Sequence, residues 1–177
     1  MAPITTSIDV DRPPAQMFAY VTDPTRFTQW QKGVVGGHMN GTGTPRVGEK
    51  CRTTRRIGFA ERSVTAELTH IDPPNTWGVH GVDDPIRAVV DVTVDPLDSG
   101  HRSRVTIAVD FEGHGIGKLL VPLSVRPQAR KEMPCNLATL KQRLEHSQHS
   151  RTEHRISLTG CVSSLRRTLA AHTEGRR

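Results

Sequence analysis

From residue 34 to residue 111 runs of period two follow one another, and in three of them apolar side chains recur at alternate positions, a period that a helix cannot bury on one face. Val64, Ala66 and Leu68 alternate with Thr65, Glu67 and Thr69. Val90, Val92 and Val94 alternate with Asp91, Thr93 and Asp95. Val105, Ile107, Val109 and Phe111 alternate with Thr106, Ala108 and Asp110. Each run reads as a strand with one dry face and one wet face. Turn residues separate the runs: Gly41, Gly43 and Pro45, then Asp72-Pro73-Pro74-Asn75, Asp83-Asp84-Pro85 and Asp98-Ser99-Gly100. The pattern predicts six strands over residues 34–40, 49–57, 61–71, 77–82, 87–95 and 102–111.

Helical spacing appears only outside this stretch. Residues 5–10 form a further alternating strand, stopped by Arg12-Pro13-Pro14. Met17, Phe18 and Val21 share one helical face, and Pro14 suits a first turn. Thr22-Asp23-Pro24 ends that helix and caps a second short one carrying Phe27 and Trp30. After the strands, Leu120, Leu123, Leu137, Leu140 and Leu144 fall roughly on one stripe, predicting a long last helix. Pro127 and Pro134 lie inside it. Each removes a backbone donor and crowds the preceding turn, which predicts a kink or break near Arg130.

Bulk properties narrow the function classes. The 177 residues suffice for one domain, residues 1–145, with a tail over 146–177. Aromatics are only 4%, so the core is aliphatic. Net charge is +6, yet the body holds 18 basic against 16 acidic residues and the tail 6 Arg against 2 Glu. The excess sits in the tail, so no specific nucleic-acid face is expected on the body. The tail reads as disordered, and its arginines suit at most weak contact with anionic surfaces. Cys51, Cys135 and Cys161 form no paired motif, which with the absence of a signal-like or membrane-spanning apolar run points to the cytoplasm.

Motif chemistry is sparse. Gly113-His114-Gly115-Ile116-Gly117-Lys118 lacks the phosphate-loop spacing, and Leu119 stands where Ser or Thr is needed. Its glycines fit a sharp strand-to-helix turn. His146, His149 and His154 have irregular spacing and no completing ligand, so no metal and no cofactor is expected. No Ser-His-Asp or Cys-His arrangement is readable.

The segment SIDVDRPPAQMFAYVTDPTRFTQW resembles the opening strand, paired helices and following Trp of the helix-grip superfamily. This superfamily comprises START-like, birch-pollen-allergen-like and polyketide cyclase/dehydrase (SRPBCC) proteins. DPIRAVVDVTVDPLDSGHRSRVTIAVDFEGHGIGKLL resembles its last hairpin, and ARKEMPCNLATLKQRLE its closing helix. The resemblance covers residues 4–145. It implies an α+β fold in which a curved antiparallel sheet of six to seven strands wraps a long C-terminal helix over an internal cavity. Alternation then predicts the lining. The lining residues are Val64, Ala66, Leu68, Trp77, Val79, Val90, Val92, Val94, Val105, Ile107, Val109 and Phe111. Leu120, Leu123, Met133 and Leu137 form the roof. Arg55, Arg62 and His80 are the candidate polar pocket groups. The implied function is binding of a hydrophobic, lipid- or polyketide-like small molecule. Two alternatives stay open: a cyclase or dehydratase acting by confinement, with unknown catalytic residues, and an interaction module or toxin-like regulatory protein.

Overall fold

The computed structural model describes residues 2–41, 43–57, 59–83 and 85–146. The expectations for the tail beyond His146, including those for His149 and His154, lie outside the described residues. Seven strands form one antiparallel sheet: β1 Ile4–Val10, β2 Val34–Met39, β3 Lys50–Ile57, β4 Ala60–Asp72, β5 Thr76–Gly81, β6 Ile86–Leu97 and β7 Arg102–Gly113. Their order is β1-β7-β6-β5-β4-β3-β2. Helix α1, Pro14–Val21, begins at a proline whose missing N–H costs nothing there. A 3-10 turn over Pro24–Gln29 follows, and Asp23 caps it by accepting from the Thr25 N–H at 3.0 Å. The closing helix α2 spans residues 117–146. This is the helix-grip α+β architecture that the alternation and the resemblance imply.

The strand-to-helix turn needs its glycines. A Cβ on Gly117 would collide with the Pro85 carbonyl oxygen, and one on Gly113 would stand 2.5 Å from the Gly117 backbone. Gly115 adopts φ +53°, a region costly for other residues.

Helix α2 differs from expectation in one respect. Helical conformation runs unbroken from residue 126 to residue 146, so there is no break at Arg130. The irregularity is a π turn over Val121–Val125, closed by the Arg126 N–H on the Val121 carbonyl. This turn places Pro127 in the first turn of the following α segment, where no donor is needed. Pro134 and Arg130 are both outside the core, so the carbonyl that Pro134 leaves without a helical donor belongs to a residue on the wet side. The π turn also inserts one residue. It rotates whatever precedes it by roughly 100° relative to a continuous helix.

That rotation splits the apolar stripe. Leu137, Leu140 and Leu144 are buried among Val10, Val94 and Val105 in the core. Ile116, Leu119, Leu120 and Leu123 share a separate, exposed stripe, with Leu123 at 77% exposure.

Polar bonds fasten α2 along β1. The Arg126 guanidinium, 3% exposed, donates to the Asp110 carboxylate and the Ala2 carbonyl. At the far end Lys141 Nζ donates to the Asp9 carbonyl at 2.9 Å, and Arg12 donates to the Leu144 carbonyl. The Asp11 N–H donates to Glu145 Oε1 at 3.4 Å. The helix rises about 28 Å between Arg126 and Glu145, and the strand about 30 Å between Ala2 and Asp11. The lengths match, so the helix is tied to the chain at both ends of β1.

Stability measurements check this packing. Leu140→Ala removes a fully buried side chain and should cost about 2–5 kcal/mol in urea denaturation. Leu123→Ala should stay within about 0.5 kcal/mol. Arg126→Met should cost about 1–3 kcal/mol near neutral pH. The Phe111 N–H, and then Arg126, hold the Asp110 carboxyl below its ordinary range. A depressed carboxyl stabilises above its unfolded pKa and loses that contribution as pH falls. The gap between wild type and Arg126→Met should therefore narrow on acidification below about pH 4.

Candidate ligand site between sheet and helix

Register fixes which side chains face the helix. Val92 opposes Trp77 and Ile107, and Val90 opposes Val79 and Val109. Directly opposed residues share a face, so all six lie on the concave side. Leu68 joins them opposite Val79, and Val94 opposite Val105.

Burial along this face is graded. Leu68, Val92, Val94, Val105, Ile107, Trp77 and Val79 are buried in the core cluster with Leu137. Met17, Phe18, Val21, Phe27 and Trp30 belong to the same cluster, which the alternation of the strands alone does not reveal. One or two residues further along each strand the cover thins. Ala66, Val90 and Val109 are half-buried and packed against the cluster, as is Met133 from α2. Val64, Ala88 and Phe111 are half-buried beyond them. The concave face is therefore close-packed at one end and, at the other, a cleft only half-covered over its apolar residues. The β3–β4, β5–β6 and β7–α2 turns gather at the open end. Phe59, Val82 and the exposed stripe of α2 lie there too. Leu120 and Leu123, expected in the roof, are instead on the outside, because the π turn rotates them away from Leu137.

A notch of about 230 Å³ opens beside the cleft, lined by Asp110, Phe111, Lys118, Val121, Pro122 and Arg126. It is smaller than the usual drug-sized site.

The polar candidates divide. On β3, Cys51 and Thr53 are buried, and Arg55 continues their face at the edge of the cleft. Arg55 Nη2 donates to Gln31 Oε1 at 2.9 Å. Loss of hydration lowers its pKa, partly offset by the charge of Glu132 on α2. Arg62 stands directly opposite Arg55 across the β3–β4 ladder, on the same face, and is exposed. His80 does not belong to the pocket. Its neighbours Val79 and Gly81 are buried inward, so the strand period turns His80 to the convex face, where Nε2 lies 3.2 Å from Glu112 Oε2. Gln31 and Glu132 escape sequence reasoning, since each reaches Arg55 only through the tertiary fold. No group of metal-ligating residues is assembled among the described residues.

Cys51 faces the same interior. Burial pushes its thiol up to about 11, against a small opposing effect of Arg55. It is a packing group rather than a nucleophile.

The sequence of residues 1–145 matches the model of the family described as "Polyketide cyclase / dehydrase and lipid transport". The chain belongs to this family. Solved structures agree with the polyketide cyclase/dehydrase-like SRPBCC fold. The di-domain ARO/CYC protein BexL is similar at TM-score 0.64 and 17% identity, over 82% of this chain and 47% of that one. This chain thus spans about half of BexL. A protein of Thermus thermophilus is similar at TM-score 0.64 and 15% identity, over 82% and 98% of the two chains. A START superfamily protein of Mycobacterium smegmatis is similar at TM-score 0.59 and 13% identity, over 82% and 99%. At such identities the likeness shows the fold alone. A search of curated proteins returns no match. No helix among the described residues is long and apolar enough to cross a membrane.

Thiol labelling at pH 8 followed by peptide mapping checks the packing of the interior. Exposed Cys135 should react in minutes. Cys51 should stay unlabelled until the protein is unfolded, since about one thiol in a thousand is ionised at that pH and the group is buried.

Proposed function

We propose that this polyketide cyclase/dehydrase-family domain binds a hydrophobic small molecule in the open half of the concave face. The graded burial carries the reading. A core that merely needed filling would be dry along its whole length, whereas here alternating apolar residues continue past the end of their cover. Val64, Ala66, Val90, Val109 and Phe111 supply apolar floor, and Met133 supplies the adjoining roof. Each square ångström they lose to a ligand contributes about 25 cal/mol. Apolar lining with a few convergent polar groups is the ordinary make-up of a small-molecule site. A lipid- or polyketide-like molecule suits the shape of a trough between strands and helix, and the family's description points the same way.

Catalysis by confinement is the second reading. The arginine pair on the cleft wall favours it, because fixed cations in a poorly hydrated site stabilise negative charge that develops on a reacting oxygen. The cytoplasm remains the expected compartment.

Native mass spectrometry of the purified protein, with a chain ending at Glu145 in parallel, separates these possibilities. Retention of the same apolar molecule by both chains supports ligand binding by the domain itself. Conversion of a bound polyketide during incubation would move the weight to the enzyme. Protein that arrives empty and also ignores a panel of hydrophobic probes would sink both readings and leave an interaction role.

A further inference from the structure

The two faces of the β3–β4 hairpin treat charge differently. On the convex face Arg56 opposes Glu61, and their side chains pair at 2.9 Å. On the concave face, one position away, Arg55 opposes Arg62. Directly opposed residues place their Cβ atoms about 5 Å apart, and like charges there repel. Among the described residues neither arginine has a carboxylate within ion-pair distance. Arg55 has only the neutral amide of Gln31. Glu132 faces it from α2, beyond ion-pair reach, and accepts instead from Gln128 at 3.2 Å. A guanidinium partly removed from water, opposite a second arginine on the ladder and offset only by the more distant charge of Glu132, is costly. The arrangement becomes favourable once an oxyanion lies between the two forks, since each guanidinium can bind such a group through two N–H donors.

We propose that the ligand is an amphipathic anion: its apolar body lies on Val64, Ala66, Val90 and Phe111, and its carboxylate, sulfonate or phosphate head is held between Arg55 and Arg62. This assignment rests on the hydrophobic-ligand reading and narrows it. Neutral sterol-like or hydrocarbon cargo would leave the arginine pair unanswered. The arginines also give direction, placing the head at the β3–β4 wall and the tail towards β6 and β7.

Two fluorescent probes with one aromatic skeleton test it: anilinonaphthalene sulfonate and its uncharged counterpart N-phenylnaphthylamine. Uncharged-probe binding reports on the cleft, and the ratio of the two affinities reports on the head site. The full chain should bind the sulfonate about tenfold more tightly. Arg55→Met and Arg62→Met should each reduce that preference and together abolish it, with affinity for the uncharged probe kept. Arg62 is exposed, so Arg62→Met keeps the test valid should Arg55→Met fold poorly. Arg55→Met is in fact expected to melt at a higher temperature, because it removes a charge only partly offset by Glu132 from a poorly hydrated wall. Displacement of the sulfonate by decanoate, decyl phosphate and decanol then identifies the head: either anion should compete and the alcohol should not, and the stronger anion names the class. Equal affinity for both probes overturns the head site and leaves the cleft standing. A sulfonate preference untouched by both substitutions overturns it too, and points to the notch beside Lys118. Failure to bind either probe removes the cleft and the head site together.

Discussion

The structure depends on a single helix laid over a sheet face that its buried side chains cover unevenly. Helix α2 is fastened along β1 from Arg126 to Glu145, and this fixes where its buried leucines fall. Leu137, Leu140 and Leu144 meet the concave face over its far half and, with α1 and Trp30, make it a close-packed core. Towards the helix start Met133 is the last apolar residue of α2 packed on that core. Beyond it Val121 is buried against the end of β7, while Val64, Ala66 and Val90 stay half-buried. The cleft is thus a geometric consequence of the fastening. The close-packed core and the half-covered apolar residues lie in opposite halves of one surface.

Electrostatics follow the same division. On the wet side charges are matched: Arg104 with Asp9 at 2.7 Å, and Arg102 with both Asp11 at 2.6 Å and Asp98 at 3.0 Å. These pairs are exposed and each contributes little to stability. Among the described residues the only directly opposed charges on the concave wall are two of like sign, Arg55 and Arg62. Proteins commonly accept such local cost where a site must recognise something absent from the free chain.

Much of this is legible in the sequence, and the failures have identifiable physical causes. Alternation, with the turn residues that bound each run, locates the seven strands, because a sheet wet on one face writes its period into most of them; β2 and β3 carry little of it. The same rule, carried one step further, excludes His80: it lies between the buried Val79 and Gly81, hence on the other face. Placing Leu120 and Leu123 in the roof assumes a constant 3.6-residue period. A single π turn breaks that assumption, and the cluster of Pro122 and Pro127 around it is the available signal. Gln31 and Glu132 carry no signal at all, since their relation to Arg55 arises only when α2 is laid over β3. The opposition of Arg55 and Arg62 is readable in principle from the short hairpin between them.

The strand order has a consequence for how the chain reaches this state. β1 is made first yet pairs only with β7, with Ile4 opposite Val109, while β2 closes the opposite edge. The bonds from Arg12 to Leu144 and from Arg126 to Ala2 join residues 132 and 124 positions apart. Strands β2 to β6 can zip as a meander as they emerge, but β1 has no partner until nearly two thirds of the chain exists. Contacts of such separation slow folding. The domain therefore closes last where it began, and a nascent chain stopped before β7 carries its first strand as an unpaired, aggregation-prone edge.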